Sequence, residues 1–95
     1  MTSKQRAALR SMANTMDTIL YIGVGGITPA TIHDASLALE AREIIKCCVN
    51  QGAPLTAKEA LEEMCAQLNA EPIQCIGRRF VMYRPSEKNP RIVLE

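Results

Sequence analysis

Two hydrophobic periods run along this chain, and the switches between them mark its elements. Thr2-Ser3-Lys4-Gln5 reads as a capping box, and Leu9, Met12, Ala13 and Met16 recur at spacings of three and four, predicting a first helix with one apolar face. Asn14 to Thr18 break that pattern. Ile19-Leu20-Tyr21-Ile22 is a short β-favouring run without a polar face, as expected of a strand buried on both sides or a parallel strand. It ends in Gly23-Val24-Gly25-Gly26. Thr28 followed by Pro29 is an N-cap and first-turn pair, predicting a second helix from Pro29 to Arg42.

Glu43 to Val49 is predicted as the second strand, Asn50 to Pro54 as a turn-rich connection, and Thr56-Ala57-Lys58-Glu59 as a second capping box. The third helix that follows places Ala57, Ala60, Leu61, Met64, Cys65 and Leu68 on one face. Pro72 to Ile76 and Phe80 to Tyr83 read as two strands of a hairpin around Gly77-Arg78-Arg79. Pro85 to Pro90 is loop. Residues 86–95 are expected as a flexible tail, with Ile92 to Leu94 either adding a short edge strand or remaining part of it.

The order is therefore a helix and then β-α-β-α-β-β. Strand-helix-strand units favour parallel neighbours and the hairpin must be antiparallel, so the fold class is α/β with a mixed sheet in two or three layers. No internal repeat or low-complexity segment interrupts it.

Composition narrows the picture. Ninety-five residues, 47% hydrophobic and 22% charged, fit one folded domain spanning 1–95 and exclude a disordered chain. The stretch from Ile19 to Ile27 is only nine residues and holds three glycines, against the roughly 20 apolar residues of a membrane helix. The N-terminus lacks the hydrophobic core of a secretory signal, so a cytoplasmic protein without membrane contact is expected.

The formal net charge is +1, but residues 1–22 carry +2, residues 23–76 carry −4 and residues 77–95 carry +3. If folding brings the ends together, a near-neutral protein acquires a positive face able to meet phosphate. Lys4, Arg6, Arg10, Arg78, Arg79 and Arg84 are its candidate members, the arginines of the hairpin projecting because unpaired guanidinium groups are costly to bury.

Other chemistry has little support. Cys47, Cys48, Cys65 and Cys75 contain no C-x-x-C spacing and are expected as buried, reduced thiols acting as small hydrophobes, with no metal or cofactor. His33, the single histidine, is expected on a helix surface. Glu59, Glu62 and Glu63 accompany Lys58 on the third helix as a solvated face, without a catalytic carboxylate pair. Tyr21, Phe80 and Tyr83 are too few for a sheet platform that stacks successive bases, so RNA recognition here would rest mostly on phosphate and shape.

Gly23-Val24-Gly25-Gly26 before the capped Thr28 brings bare backbone amides to a helix N-terminus, a geometry suited to phosphate. A plain tight turn explains the same glycines. G-x-G-x-x-T is no dinucleotide fingerprint, and no G-K-S/T follows.

These segments together resemble a known family. Thr2 to Arg6, Leu9-Arg10, Ile22 to Thr28, Ala38 to Lys46, and Gln74 to Pro85 are similar, in order and over nearly the whole chain, to a stand-alone CRM domain of the bacterial YhbY-like type, a name that stands for chloroplast RNA splicing and ribosome maturation. The resemblance implies a fold like the C-terminal domain of translation initiation factor three, with strand order 1-2-4-3, strand four antiparallel and an extra leading helix. It also implies non-catalytic RNA binding, associated in bacterial members with precursors of the large ribosomal subunit.

Family members use the glycine loop, comparable to the GXXG loop of KH domains, with nearby basic residues, which carries over to Gly23, Val24, Gly25, Gly26 and, beside them, Arg78 and Arg79. Lysine often follows the first glycine in the family, whereas this chain has Val24, so the backbone amides must do more. The expected protein is a monomeric binder of ribosomal RNA. The competing expectation is an adaptor that docks on a protein through the acidic third helix.

Overall fold

The computed structural model describes residues 1–95. Its elements are α1 (Ser3–Ala13), β1 (Thr18–Ile22), α2 (Pro29–Arg42), β2 (Ile44–Val49), α3 (Ala57–Leu68), β3 (Glu71–Ile76) and β4 (Arg79–Tyr83). All three helices start in capping boxes. The hydroxyls of Thr2, Thr28 and Thr56 accept the amides of Gln5, Thr31 and Glu59 at 3.1, 3.2 and 3.2 Å, and the three partner side chains accept the cap amides in return. None of the helices is long and apolar enough to cross a membrane.

The four strands form one sheet in the order β1-β2-β4-β3. β1 pairs parallel with β2, with Tyr21 opposite Cys48, while β4 lies antiparallel to both β2 and β3, with Arg79 opposite Cys48 and Ile76. This is the mixed sheet expected from the chain order and from the resemblance. β1 is parallel as expected but not buried on both sides: it is an edge strand, and Tyr21 is 60% exposed. Pro72, which has no amide to donate, lies on the other edge, in β3, where the register shifts between Pro72 and Gln74.

Helices cover both faces, making three layers. On one face α2 and α3 close a core around Leu39, Ile45, Met64, Phe80 and Met82, and all six predicted apolar positions of α3 are buried. On the other, α1 packs Leu9 and Ala13 against Ile44, Ile73, Val81 and Tyr83. Met12 was expected on that apolar face but is 44% exposed, and Met16 falls beyond the helix end, half-buried. One helix of 11 residues touches the sheet along a narrow stripe, which two side chains fill.

The predicted second strand begins one residue late. Glu43 instead ends α2 with φ of 68° and is fully buried. Its carboxylate accepts the backbone amides of Ser86, Arg91 and Ile92 at 2.9, 2.7 and 2.9 Å, and its carbonyl accepts the Arg84 amide at 2.9 Å. Glu40 accepts the Ser86 hydroxyl and the Glu87 amide. Residues 84–95 form no strand, and Val93, Leu94 and Glu95 line a groove with Lys4, Gln5 and Ala8, so the two chain ends meet.

Candidate functional site

Strand directions decide which loops share an end of the molecule. β1 and β2 run the same way, so the glycine turn after Ile22 and the connection after Val49 emerge together, and the antiparallel hairpin brings Gly77 and Arg78 to the same end. Hydrogen bonds lock the three segments: the Asn50 amide donates to the Ile22 carbonyl at 2.8 Å and the Val49 amide to the Arg78 carbonyl at 2.8 Å. Val49, Asn50, Gln51, Gly77 and Arg78 border a cleft of 330 Å³.

Within the glycine segment, the Gly26 amide donates to the Gly23 carbonyl at 3.0 Å, closing a turn with Val24 and Gly25 at its centre. Only Gly26 is glycine for the fold's sake. Its φ is 68°, and a Cβ there would lie 3.1 Å from Pro54 Cγ, whereas a Cβ on Gly23 or Gly25 would meet nothing within 4 Å. The amides of Val24 and Gly25 have no partner in the protein. Val24 is 80% exposed, leaning on Gly52 of the next loop.

The α2 N-terminus has less to offer an anion than the sequence suggested. Pro29 has no amide, Thr31 donates to the Thr28 hydroxyl, and Ile32 donates to the Thr28 carbonyl, leaving Ala30 free. Thr28 is therefore placed beside the turn but its side chain serves its own helix.

The basic candidates separate into groups. Arg78 and Arg79 sit exposed at the glycine-turn end and form no ion pair, the chain's two ion pairs being Arg6 with Glu71 at 3.5 Å and Arg91 with Glu43 at 4.0 Å. Arg6 also donates to the Pro72 carbonyl, which holds it at the start of β3, at the opposite end of the sheet. Lys4 lies there too, beside the chain's C-terminus. Arg10 follows Arg6 by one turn on the same side of α1, toward the glycine-turn end.

Arg84 does not project as expected. Its Nη1 donates to the Leu68 carbonyl at the end of α3, and its Nη2 to the Ser36 carbonyl and hydroxyl in α2, at 3.1, 3.0 and 3.2 Å. A planar fork that reaches two helices at once ties them together. Folding thus gathers Arg78, Arg79 and the glycine turn, and leaves Lys4, Arg6 and Arg84 apart from them. Lys46 was missed: it lines a groove with Asn14, Gln74, Ile76 and Arg79 on the α1 side of the sheet. Its alternation with Ile45 and Cys47 was the available signal.

The thiols divide as well. Cys47 and Cys65 are buried, as expected, but Cys48 is half-buried and Cys75 is exposed on edge strand β3. Burial, with nearby thiols, pushes Cys47 up to about 12, and burial, with Glu71, pushes Cys65 up to about 11, so neither is a nucleophile near neutral pH. His33 is exposed on α2, and no three His, Cys, Asp or Glu side chains converge where a metal ion would bind. On α3, Glu62 and Glu63 are exposed, while Glu59 is held below the usual carboxylate range by the Thr56 amide and hydroxyl it caps.

Comparison with known proteins agrees with this architecture. Residues 1–84 match the CRS1 / YhbY (CRM) domain family. The chain is 34% identical over 94 residues to the Probable RNA-binding protein YqeI of Bacillus subtilis (strain 168), covering 99% of this chain and 98% of that one. It is 27% identical over 88 residues to an RNA-binding protein of Haemophilus influenzae, covering 93% of this chain and 89% of that one. The solution structure of the hypothetical protein SAV1595 from Staphylococcus aureus superposes with a TM-score of 0.79 at 38% identity, covering 100% of this chain and 99% of that one.

Proposed function

The chain belongs to the CRS1 / YhbY (CRM) domain family, and from that premise we propose that it is a non-catalytic RNA-binding protein whose contact surface is the glycine-turn end of the sheet. The observation that carries this reading is the meeting, at one end, of two unpaired arginines with a turn whose central amides are free and whose Gly23 and Gly25 the fold itself does not require. Amides of Val24 and Gly25 hold a phosphate, Gly26 being committed to closing the turn. Arg78 and Arg79 take neighbouring backbone, with Arg10 and Lys46 flanking. The RNA is ribosomal, in a precursor of the large subunit, a reading that rests on the family resemblance, and we take the protein to act as a monomer in the cytoplasm.

A titration of a structured ribosomal RNA fragment tests the surface. With four cations engaged, affinity falls roughly 100-fold between 50 and 200 mM salt, and Arg78→Ala with Arg79→Ala binds more weakly with a shallower slope. Unchanged affinity in the folded double variant would overturn the assignment. Sedimentation of the protein with large-subunit precursors tests the ribosomal reading. Association that survives ribonuclease and is lost on reversing Glu62 and Glu63 would move the function to α3.

A further inference from the structure

α1 shields only part of its side of the sheet. It ends at Ala13, with Asn14 reaching a groove of 220 Å³ that Lys46, Gln74, Ile76 and Arg79 also line. Beyond that helix end, one row of side chains crosses all four strands on this face: Tyr21, Cys48, Arg79 and Ile76, each directly opposite the next. Tyr21 is 60% and Ile76 is 67% exposed, and half-buried Cys48 between Tyr21 and Arg79 leaves a dip. Lys46 lies two residues before Cys48 on β2, on the same face of the sheet and opposite Thr18 at the start of β1.

This face has a definite chemistry. Its two cations form no ion pair, and its row contains no carboxylate. The nearest acidic residue along β1 is Asp17, before the strand begins. An uncovered tyrosine flanked by unpaired cations offers a stacking plane with phosphate ligands beside it. Tyr21 is also two residues before Gly23, so the row is continuous with the glycine turn.

We propose that this uncovered strip, made by Tyr21, Lys46 and Arg79, seats one unpaired nucleotide of the bound RNA, its base on the Tyr21 ring and its adjoining phosphates on Lys46 and Arg79. The inference rests on the RNA-binding reading above and adds to it a preference for RNA in which a base is free to leave its stack. A single aromatic sets the limit at one base, not a run of them. A protein partner is disfavoured because the strip lacks the continuous apolar surface of a protein interface core, its exposed Tyr21 and Ile76 lying at opposite sheet edges.

The test compares an RNA hairpin that has a single unpaired nucleotide bulge with the same hairpin fully paired, titrated against the full chain and its Tyr21→Ala, Tyr21→Phe and Lys46→Gln variants. The wild type is expected to prefer the bulged hairpin by roughly 5- to 150-fold, the range set by stacking one base on an aromatic side chain. Tyr21→Ala is expected to lose that preference while keeping its affinity for the paired hairpin, Tyr21→Phe to retain it, and Lys46→Gln to reduce the salt slope by about 1. Because Tyr21 is exposed, these variants should melt like wild type, and their thermal unfolding verifies this.

Equal wild-type affinity for the two hairpins, or a full preference in Tyr21→Ala, overturns the proposal and leaves the glycine-turn reading standing. Failure to bind either hairpin overturns both. A strip that instead captures protein would show Tyr21→Ala losing a ribonuclease-resistant partner with RNA affinity unchanged, which also overturns it.

Discussion

The carboxylate of Glu43 accepts the backbone amide of Ile92, 49 residues further along the chain, at 2.9 Å. With Ser86 and Arg91 as further donors, one buried acid fixes the segment after β4 at Ser86 and again at Arg91 and Ile92. Burial pushes Glu43 up, but the three amides and the Arg91 guanidinium outweigh that and hold it below its ordinary value of 4.5. A carboxylate with a lower pKa folded than unfolded stabilises the fold fully above its unfolded value, and that contribution is lost as pH falls through the folded one.

Wild-type protein should therefore lose stability from about pH 5 downward, and Glu43→Gln should lose less over the same window. At neutral pH the variant should be less stable by about 1–3 kcal/mol, since buried amides lose a charged acceptor. Denaturant melts of both proteins at pH 7, 5 and 3 measure this. Parallel pH profiles would assign the acid sensitivity to Glu40 or another carboxylate.

Arg84→Ala should cost about 1–3 kcal/mol, by freeing the Leu68 and Ser36 carbonyls that its fork satisfies. RNA affinity of the folded variant and its salt slope should be unchanged, in contrast to Arg78→Ala with Arg79→Ala. A shallower slope in Arg84→Ala would return it to the binding surface.

Gly26 and Gly25 should separate folding from binding. Gly26→Ala meets Pro54 Cγ at 3.1 Å and a φ of 68°, so it should lower stability by about 1–2 kcal/mol. Gly25→Asp has open space around it and should fold normally while losing much of its RNA affinity, through added negative charge beside the free amides. Thermal unfolding and RNA titration of both variants distinguish the two effects.

Thiol accessibility should follow the order Cys75, then Cys48, with Cys47 and Cys65 reacting only on unfolding. Mass spectrometry after timed exposure of the native protein to a mild alkylating reagent reads the order directly. Early labelling of Cys47 would mean that the core between the sheet and α3 opens readily.

Local chemistry made much of this legible in the sequence. The hydroxyl-first capping boxes at Thr2 and Thr56, the Thr28-Pro29 start and the six apolar positions of α3 each depend on neighbours within a turn or two, and each appears where the pattern placed it. Edge position showed in the strand order that the resemblance implies and not in the local pattern, because the apolar run of β1 is the same whether one neighbour or two lie beside it. Charge summed along segments was a poor guide to charge in space. Arg6, Arg84 and Arg91 add to the basic ends of the sequence, yet their partners are carbonyls and carboxylates brought in from 16 to 66 residues away. Glu43 was invisible for the same reason: nothing beside it in sequence signals that three amides after Tyr83 will converge on it.

The meeting of Lys4, Gln5 and Ala8 with Val93, Leu94 and Glu95 along one groove makes this chain nearly a closed ring. A few flexible residues should bridge the two ends, giving a backbone-cyclised protein whose unfolded state has lost conformational freedom while its native contacts are undisturbed. Reopening that ring after Gln51, exposed in the β2–α3 connection, would yield a permutant that keeps the Asn50 amide on the Ile22 carbonyl and has its new termini beside the glycine turn.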